Sequence, residues 1–238
     1  MDNLIKSFKS LKWYEIIMIV IMVVIAGMSI YEAIIHPESS TNPLWLTIIN
    51  FISAICGIIC IFFCAKANIS NFIFGSINTI VYAIFLYYQK IYGTFALEVL
   101  FYLPINFISW YIWAKHRDSI LKEKTKAKKL SLKQNILCTL LILGGGIIYH
   151  SILVKIGGNV AWLDAFTLSI GIIAVILEML RYKEQYIWWI ITDIIAVAMY
   201  IVHFDAVYLT KKSIYLIMAV IGLINWHKLN KERNKLNE

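Results

Sequence analysis

Tyr186, Trp189 and Asp193 are spaced three and four residues apart inside an apolar stretch. At about 100° per residue they fall on one narrow helical stripe, which Tyr200 continues. A carboxylate flanked by aromatic rings, within a segment hydrophobic enough for lipid, suits a flat, polar, cationic guest that can stack and gain cation–π attraction. Other stripes carry similar groups. Asn71, Asn78, Tyr82 and Gln89 share a face of one segment, and Glu98, Tyr102, Asn106, Ser109 and Trp113 share a face of the next. Asp164, Thr167, Gly171 and Glu178 line up on a third, and Tyr208, Tyr215, Gly222 and Trp226 on a fourth. Asn and Tyr groups on these faces would satisfy hydroxyls or an amide, and the carboxylates leave proton coupling open.

These residues need a membrane to sit in. The chain of 238 residues is 61% hydrophobic, more than one soluble core could hide. Runs of the length needed to cross a bilayer, about 20 apolar residues, recur along it. We read eight spans at roughly 14–35, 45–65, 69–89, 93–114, 135–154, 163–181, 186–204 and 207–227. The fold class is therefore all-α integral membrane. The net charge of +8 does not call for nucleic acid. With the N-terminus inside, all Lys and Arg except Lys90, Lys155, Lys211 and Lys212 fall on cytoplasmic segments, the positive-inside pattern. Both termini are then cytoplasmic, and the first apolar run, with no small-residue cleavage site after it, is expected to remain as an anchor.

The chain also repeats itself. Trp45, Lys66, Phe72, Tyr92, Tyr102 and Trp113 are followed in the same order by Trp162, Lys183, Tyr186, Tyr208, Tyr215 and Trp226, at offsets of 113 to 117. Three spans per copy with one span between them give two parallel repeats. The expected organisation is an N-terminal cytoplasmic segment and peripheral helix (1–35), a first three-helix repeat (45–114), a basic linker (115–134), a linker helix (135–154), a second repeat (162–227) and a basic cytoplasmic tail (228–238).

Several residues have plainer readings. Asn50, His150 and Asn225 are expected to join helices. Asp164 is placed to cap a helix N-terminus, and Glu178 to pair with Arg181. Cys56, Cys60 and Cys64 read as small packing residues on one face. The basic linker reads as a solvated charge run. The scattered His36, His116, His150, His203 and His227 form no zinc or nucleophile motif, so an enzyme is not expected. No cofactor or metal is expected either, and a membrane sensor or scaffold is the remaining non-transport class.

The segments Trp162-Leu-Asp164-Ala-Phe-Thr167, Tyr186-x-x-Trp189-x-x-x-Asp193, Tyr208 and Asn225-Trp226 resemble the bacterial nicotinamide riboside transporter (PnuC-like) family. Asn71–Gly75, Tyr92-Gly93 and Trp110–Trp113 fit it in the first half, and the resemblance spans roughly residues 45–228. It implies two three-helix bundles joined by a linker helix, an architecture related to the SWEET sugar transporters, and assembly as a homotrimer in the bacterial plasma membrane. It further implies facilitated uptake of a dephosphorylated vitamin that a cytoplasmic kinase then traps. The substrate would be held by Tyr186, Trp189, Asp193, Glu98, Asn71, Asn78, Asn106, Tyr102, Asp164 and Thr167. Two departures, Tyr186 where that subgroup has Trp and Glu98 where it has Gln, keep thiamine as the alternative substrate and riboflavin as a third.

Overall fold

The computed structural model describes residues 2–38, 42–117, 125–155, 162–202 and 206–236. A short amphipathic helix, α1 (Asp2–Lys9), precedes α2 (Trp13–Ile35), α3 (Leu44–Ala65) and α4 (Asn71–Tyr88). The next span is not one helix. It begins as α5 (Tyr92–Leu97), passes through a π-helical turn over Glu98–Tyr102 and continues as α6 (Leu103–Lys115). Pro104 has no N–H to give the carbonyl of Leu100, so the ladder is interrupted here, and the N–H of Leu103 reaches back five residues to the Glu98 carbonyl. Then follow α7 (Leu132–Lys155), α8 (Trp162–Met179), α9 (Gln185–Val202) and α10 (Ala206–Leu236).

Among the described residues, seven segments are long and apolar enough to cross a membrane, and Ala165–Met179 is a shorter apolar helix. This is an all-helical multi-pass membrane protein. Its outward faces are those expected against lipid: Val24 on α2 and Leu140 on α7 are more than half exposed. The last helix runs on to Leu236, so most of the expected basic tail is helical rather than a separate segment.

The N-terminal helices are more firmly attached than a peripheral anchor would be. Phe8 packs edge-on against Phe63 and Phe74. Glu15 is 1% exposed and meets Lys66 at 2.5 Å, while the Lys66 ammonium also donates to the Ser10 carbonyl at 2.7 Å. The second oxygen of Glu15 has no hydrogen-bond partner in the protein. Removing the lysine would leave a buried carboxylate held only by the Lys12 backbone N–H. Lys66→Met is therefore expected to destabilise the protein by about 1–3 kcal/mol, and Glu15→Gln/Lys66→Met by less. Thermal unfolding in detergent tests this, and a double variant no better than the single one would contradict it.

Two halves meet through reciprocal contacts. Helix α3 packs on α4 and α10, while α8 packs on α9 and α6. The turns after α3 and α8 close in the same way. Ala67 and Arg181 adopt positive φ (55° and 69°), and the next N–H in each, Asn68 and Tyr182, returns to the carbonyls of Phe63 and Leu177 at 2.9 and 2.8 Å. These partners are 114 residues apart. Lys66 thus stands opposite Leu180 rather than Lys183, which corrects the register taken from the two lysines. Trp113 donates to the Glu178 carbonyl and Trp226 to the Cys64 carbonyl, each at 2.9 Å. Their rings lie 5.3 Å apart, both fully buried, in a core that also holds Phe72 and Tyr186.

The linker is not simply a solvated charge run. Residues 118–124 lie outside the described part, but Thr125, Ala127 and Leu130 are buried. Thr125 donates its N–H to the Ala67 carbonyl (2.9 Å) and Lys128 to the Arg181 carbonyl (2.8 Å), so one segment ties down both turns. An extended segment with free backbone donors can do this; the charged side chains hid it in the sequence. Lys128 also lies over the Tyr182 ring, 5.5 Å from its centre.

Candidate functional site

Between the halves lies a cavity of about 390 Å³. Its lining runs from the C-terminal turns of α3 and α8, with Cys64 and Glu178, to the first turns of α10, with Tyr208, Lys211 and Lys212. At the end beside the α3 and α8 C-terminal turns stand Cys64, Phe72, Glu178 and Tyr186. Cys60, Gly75, Asn106, Ser109 and Trp189 come next, then Gly57, Asn78, Thr79, Tyr102, Asp193 and Tyr215. Tyr82, Glu98, Tyr200, Tyr208, Lys211 and Lys212 lie at the opposite end, beside the first turns of α10. The Trp113–Trp226 pair closes the end with Cys64 and Glu178 from behind.

Small residues let the polar groups cross. A Cβ on Gly57 would lie 2.5 Å from the Tyr215 hydroxyl, and one on Gly171 would lie 3.6 Å from the Tyr102 hydroxyl. Each tyrosine therefore reaches over the glycine on the first helix of the opposite half. Asn78 accepts from Ser53 at 2.9 Å, which fixes its amide at the cavity wall. Asn106 donates to Thr79 at 3.4 Å. Gly222 faces the Tyr186 ring, and a Cβ there would collide with it. Tyr186 cannot retreat, because its hydroxyl donates to the Cys64 carbonyl at 2.9 Å and its ring is wedged on Trp226. Gly222→Leu is expected to cost about 1–3 kcal/mol through overpacking. Its unfolding temperature would have to match that of the unaltered protein for this reading to be wrong.

Of the residues expected from the sequence, Tyr186, Trp189, Asp193, Glu98, Asn78, Asn106 and Tyr102 line this one cavity. Asn71 does not. It is fully buried behind the wall and donates to Glu178 at 3.4 Å. Thr167 is half-buried on α8 and is not part of the lining. Asp164 lies on α8, but its side chain falls outside the described residues, as does the capping role expected of it. Asn225 does join helices, donating to the Ala65 carbonyl at 3.3 Å. Of the other two expected to do so, His150 stacks on the Trp162 ring at 3.6 Å.

Three lining residues were read otherwise. Lys211 and Lys212, which the charge pattern only sets apart from the cytoplasmic segments, both line the cavity. Lys212 meets Asp193 at 3.1 Å, so that carboxylate is not a free anion. The Lys211 ammonium sits 5.5 Å from the centre of the Tyr82 ring and 5.8 Å from that of Tyr215. The signal was present: Lys211 lies three residues after Tyr208 and four before Tyr215, on the same helical face. Glu178 does not pair with Arg181. Positive φ at Arg181 turns the chain, and its guanidinium donates to the Lys126 carbonyl at 3.3 Å. Glu178 instead accepts from the Cys64 thiol at 3.5 Å, inside the cavity.

Such a site can surround a flat ring with aromatic walls and meet its charge and hydroxyls with carboxylates and amides. Among the described residues no group of three or more His, Cys, Asp or Glu gathers to hold a metal. The sequence matches the family model described as nicotinamide mononucleotide transporter over residues 47–228. The nicotinamide riboside transporter PnuC of Neisseria mucosa is 31% identical over 217 residues, 87% of this chain and 80% of that protein. The protein of the same name from Haemophilus influenzae is 32% identical over 195 residues, 82% of this chain and 84% of its own. The crystal structure of the vitamin B3 transporter PnuC superposes with a TM-score of 0.73 at 30% identity, covering 94% of both chains. With a family match across the whole cavity-forming region and relatives of this extent, the chain belongs to the nicotinamide mononucleotide transporter family.

Proposed function

We infer that this protein carries nicotinamide riboside across the bacterial plasma membrane by facilitated diffusion. The observation that carries the reading is the cavity itself: aromatic rings and three carboxylates converge between two sets of helices, in a family whose relatives bear that substrate's name. Trp189 and Tyr186 would wall the pyridinium ring. Asn78, Asn106, Tyr102 and Glu98 would take the ribose hydroxyls and amide, with Asp193 acting as half of its ion pair with Lys212. Asn71 would act from behind, through Glu178.

In this reading residues 45–114 and 162–227 are parallel three-helix repeats, joined by the linker 115–134 and the helix 135–154. The reciprocal Trp113 and Trp226 hydrogen bonds support that division. Both termini face the cytoplasm, in keeping with the basic loops. The protein assembles as a homotrimer, and a cytoplasmic kinase keeps the vitamin inside after entry. Transport is the whole activity; no chemistry is done on the substrate.

Uptake of labelled nicotinamide riboside by cells lacking their own carrier tests this. Accumulation is expected only while the kinase is present, with rapid equilibration in its absence. Accumulation of thiamine but not nicotinamide riboside would overturn the substrate, and accumulation of neither would overturn transport of these vitamins.

A further inference from the structure

The three carboxylates of the cavity differ in what already faces them. Asp193 is met by the Lys212 ammonium at 3.1 Å. Glu98 lies at the α10 end with Lys211, and the two occupy corresponding places in the halves, 113 residues apart, as Trp113 and Trp226 do. Glu178 has a different environment. Its Oε1 accepts from the Cys64 thiol at 3.5 Å and from the Asn71 amide at 3.4 Å, both neutral. No Lys or Arg makes an ion pair with it among the described residues, and Arg181 is turned toward the Lys126 carbonyl. The Oδ1 of the fully buried Asn71 beside it has no hydrogen-bond partner within the protein.

We propose that Glu178 is the counter-charge of the substrate's cationic ring, a binding residue at the end of the cavity beside the α3 and α8 C-terminal turns. This rests on the reading of nicotinamide riboside as substrate. Asp193, ion-paired with Lys212, and Glu98, which makes no ion pair among the described residues but lies within electrostatic reach of Lys211, make a collar in which a positive charge stands near each negative one, so a cation passes without being trapped. At the other end the charge of Glu178 is met only by neutral groups, within a wall that includes Phe72, Tyr186 and Trp189. A pyridinium there gains both a carboxylate and ring faces in a site shielded from water, where each attraction is stronger than outside. The residue was masked in the sequence by Arg181 three positions on, an apparent partner that the left-handed turn removes.

The test is binding of two ligands of nearly one shape to purified protein: nicotinamide riboside, which is cationic, and its 1,4-dihydro form, which is not. The unaltered protein is expected to prefer the cation. Glu178→Gln keeps the backbone carbonyl that Trp113 uses, and should lose about tenfold or more in affinity for the cation while holding the dihydro form as before. Retained dihydro binding shows the variant is folded, and Glu178→Asp should recover part of the loss. The inference is overturned if Glu178→Gln prefers the cation as strongly as the unaltered protein, or if it weakens both ligands in parallel. Failure of the unaltered protein to bind either form would instead sink the substrate reading beneath it.

Discussion

Asp193→Asn should raise the KM for uptake of a cationic vitamin, and adding Lys212→Met should restore it. The two side chains form an ion pair at 3.1 Å within the lining. Neutralising the carboxylate strands an ammonium beside the path of a cation. Two like charges about 8 Å apart at an effective dielectric of about 20 repel by about 2 kcal/mol. The Lys212 side chain is 29% exposed, so solvent trims this. A rise of about 5–30-fold in KM is expected for the single variant, and a value within about threefold of the original for the double. Transport kinetics in vesicles over a range of substrate concentrations give both numbers. If single and double variants are equally impaired, Asp193 contacts the substrate itself and the collar description is wrong.

Trp226→Ala should be the most destabilising single change in the molecule. Its ring is wholly buried, lies 5.3 Å from Trp113 and 5.8 Å from Tyr186, and its indole N–H donates to the Cys64 carbonyl. Truncation leaves a cavity at the junction of the halves, for which about 3–5 kcal/mol is typical. The Cys64 carbonyl keeps its bond from the Tyr186 hydroxyl, so the loss is mainly packing. Trp113→Ala should cost nearly as much. The double variant should cost less than the two together by about 0.5–1.5 kcal/mol, the range for an aromatic pair. Trp13, 74% exposed, is the control and should tolerate alanine within about 0.5 kcal/mol. Unfolding of the detergent-solubilised protein decides it, and additive losses would mean the two rings do not act as one seal.

Much of the cavity lining was legible before the fold. The stripe of Tyr186, Trp189 and Asp193 and that of Glu98, Tyr102 and Asn106 do line one cavity. Periodicity can identify a shared helical face because the α-helix turns through nearly the same angle at every residue. It cannot say which groups face one another across the gap. Asp193 appeared as a bare acid because its partner, Lys212, lies on another helix. Glu178 appeared to be paired because Arg181 is near in sequence, and a single left-handed residue reversed that. Asn71 shares its stripe with Asn78, but at the helix start it turns into the protein to reach Glu178.

The sequence by itself determined the class of the protein: apolar runs of bilayer length leave helices as the economical way to satisfy the backbone in lipid. It also carried the duplicated order of tryptophans and tyrosines, since such residues hold their places along each helix. Only the tertiary structure decided how the halves close on each other. The Trp113 and Trp226 donors find carbonyls across the junction, and the linker's backbone N–H groups tie both turns. Charge balance within the cavity was likewise decided there, because attraction depends on distances between helices that no spacing along one helix contains.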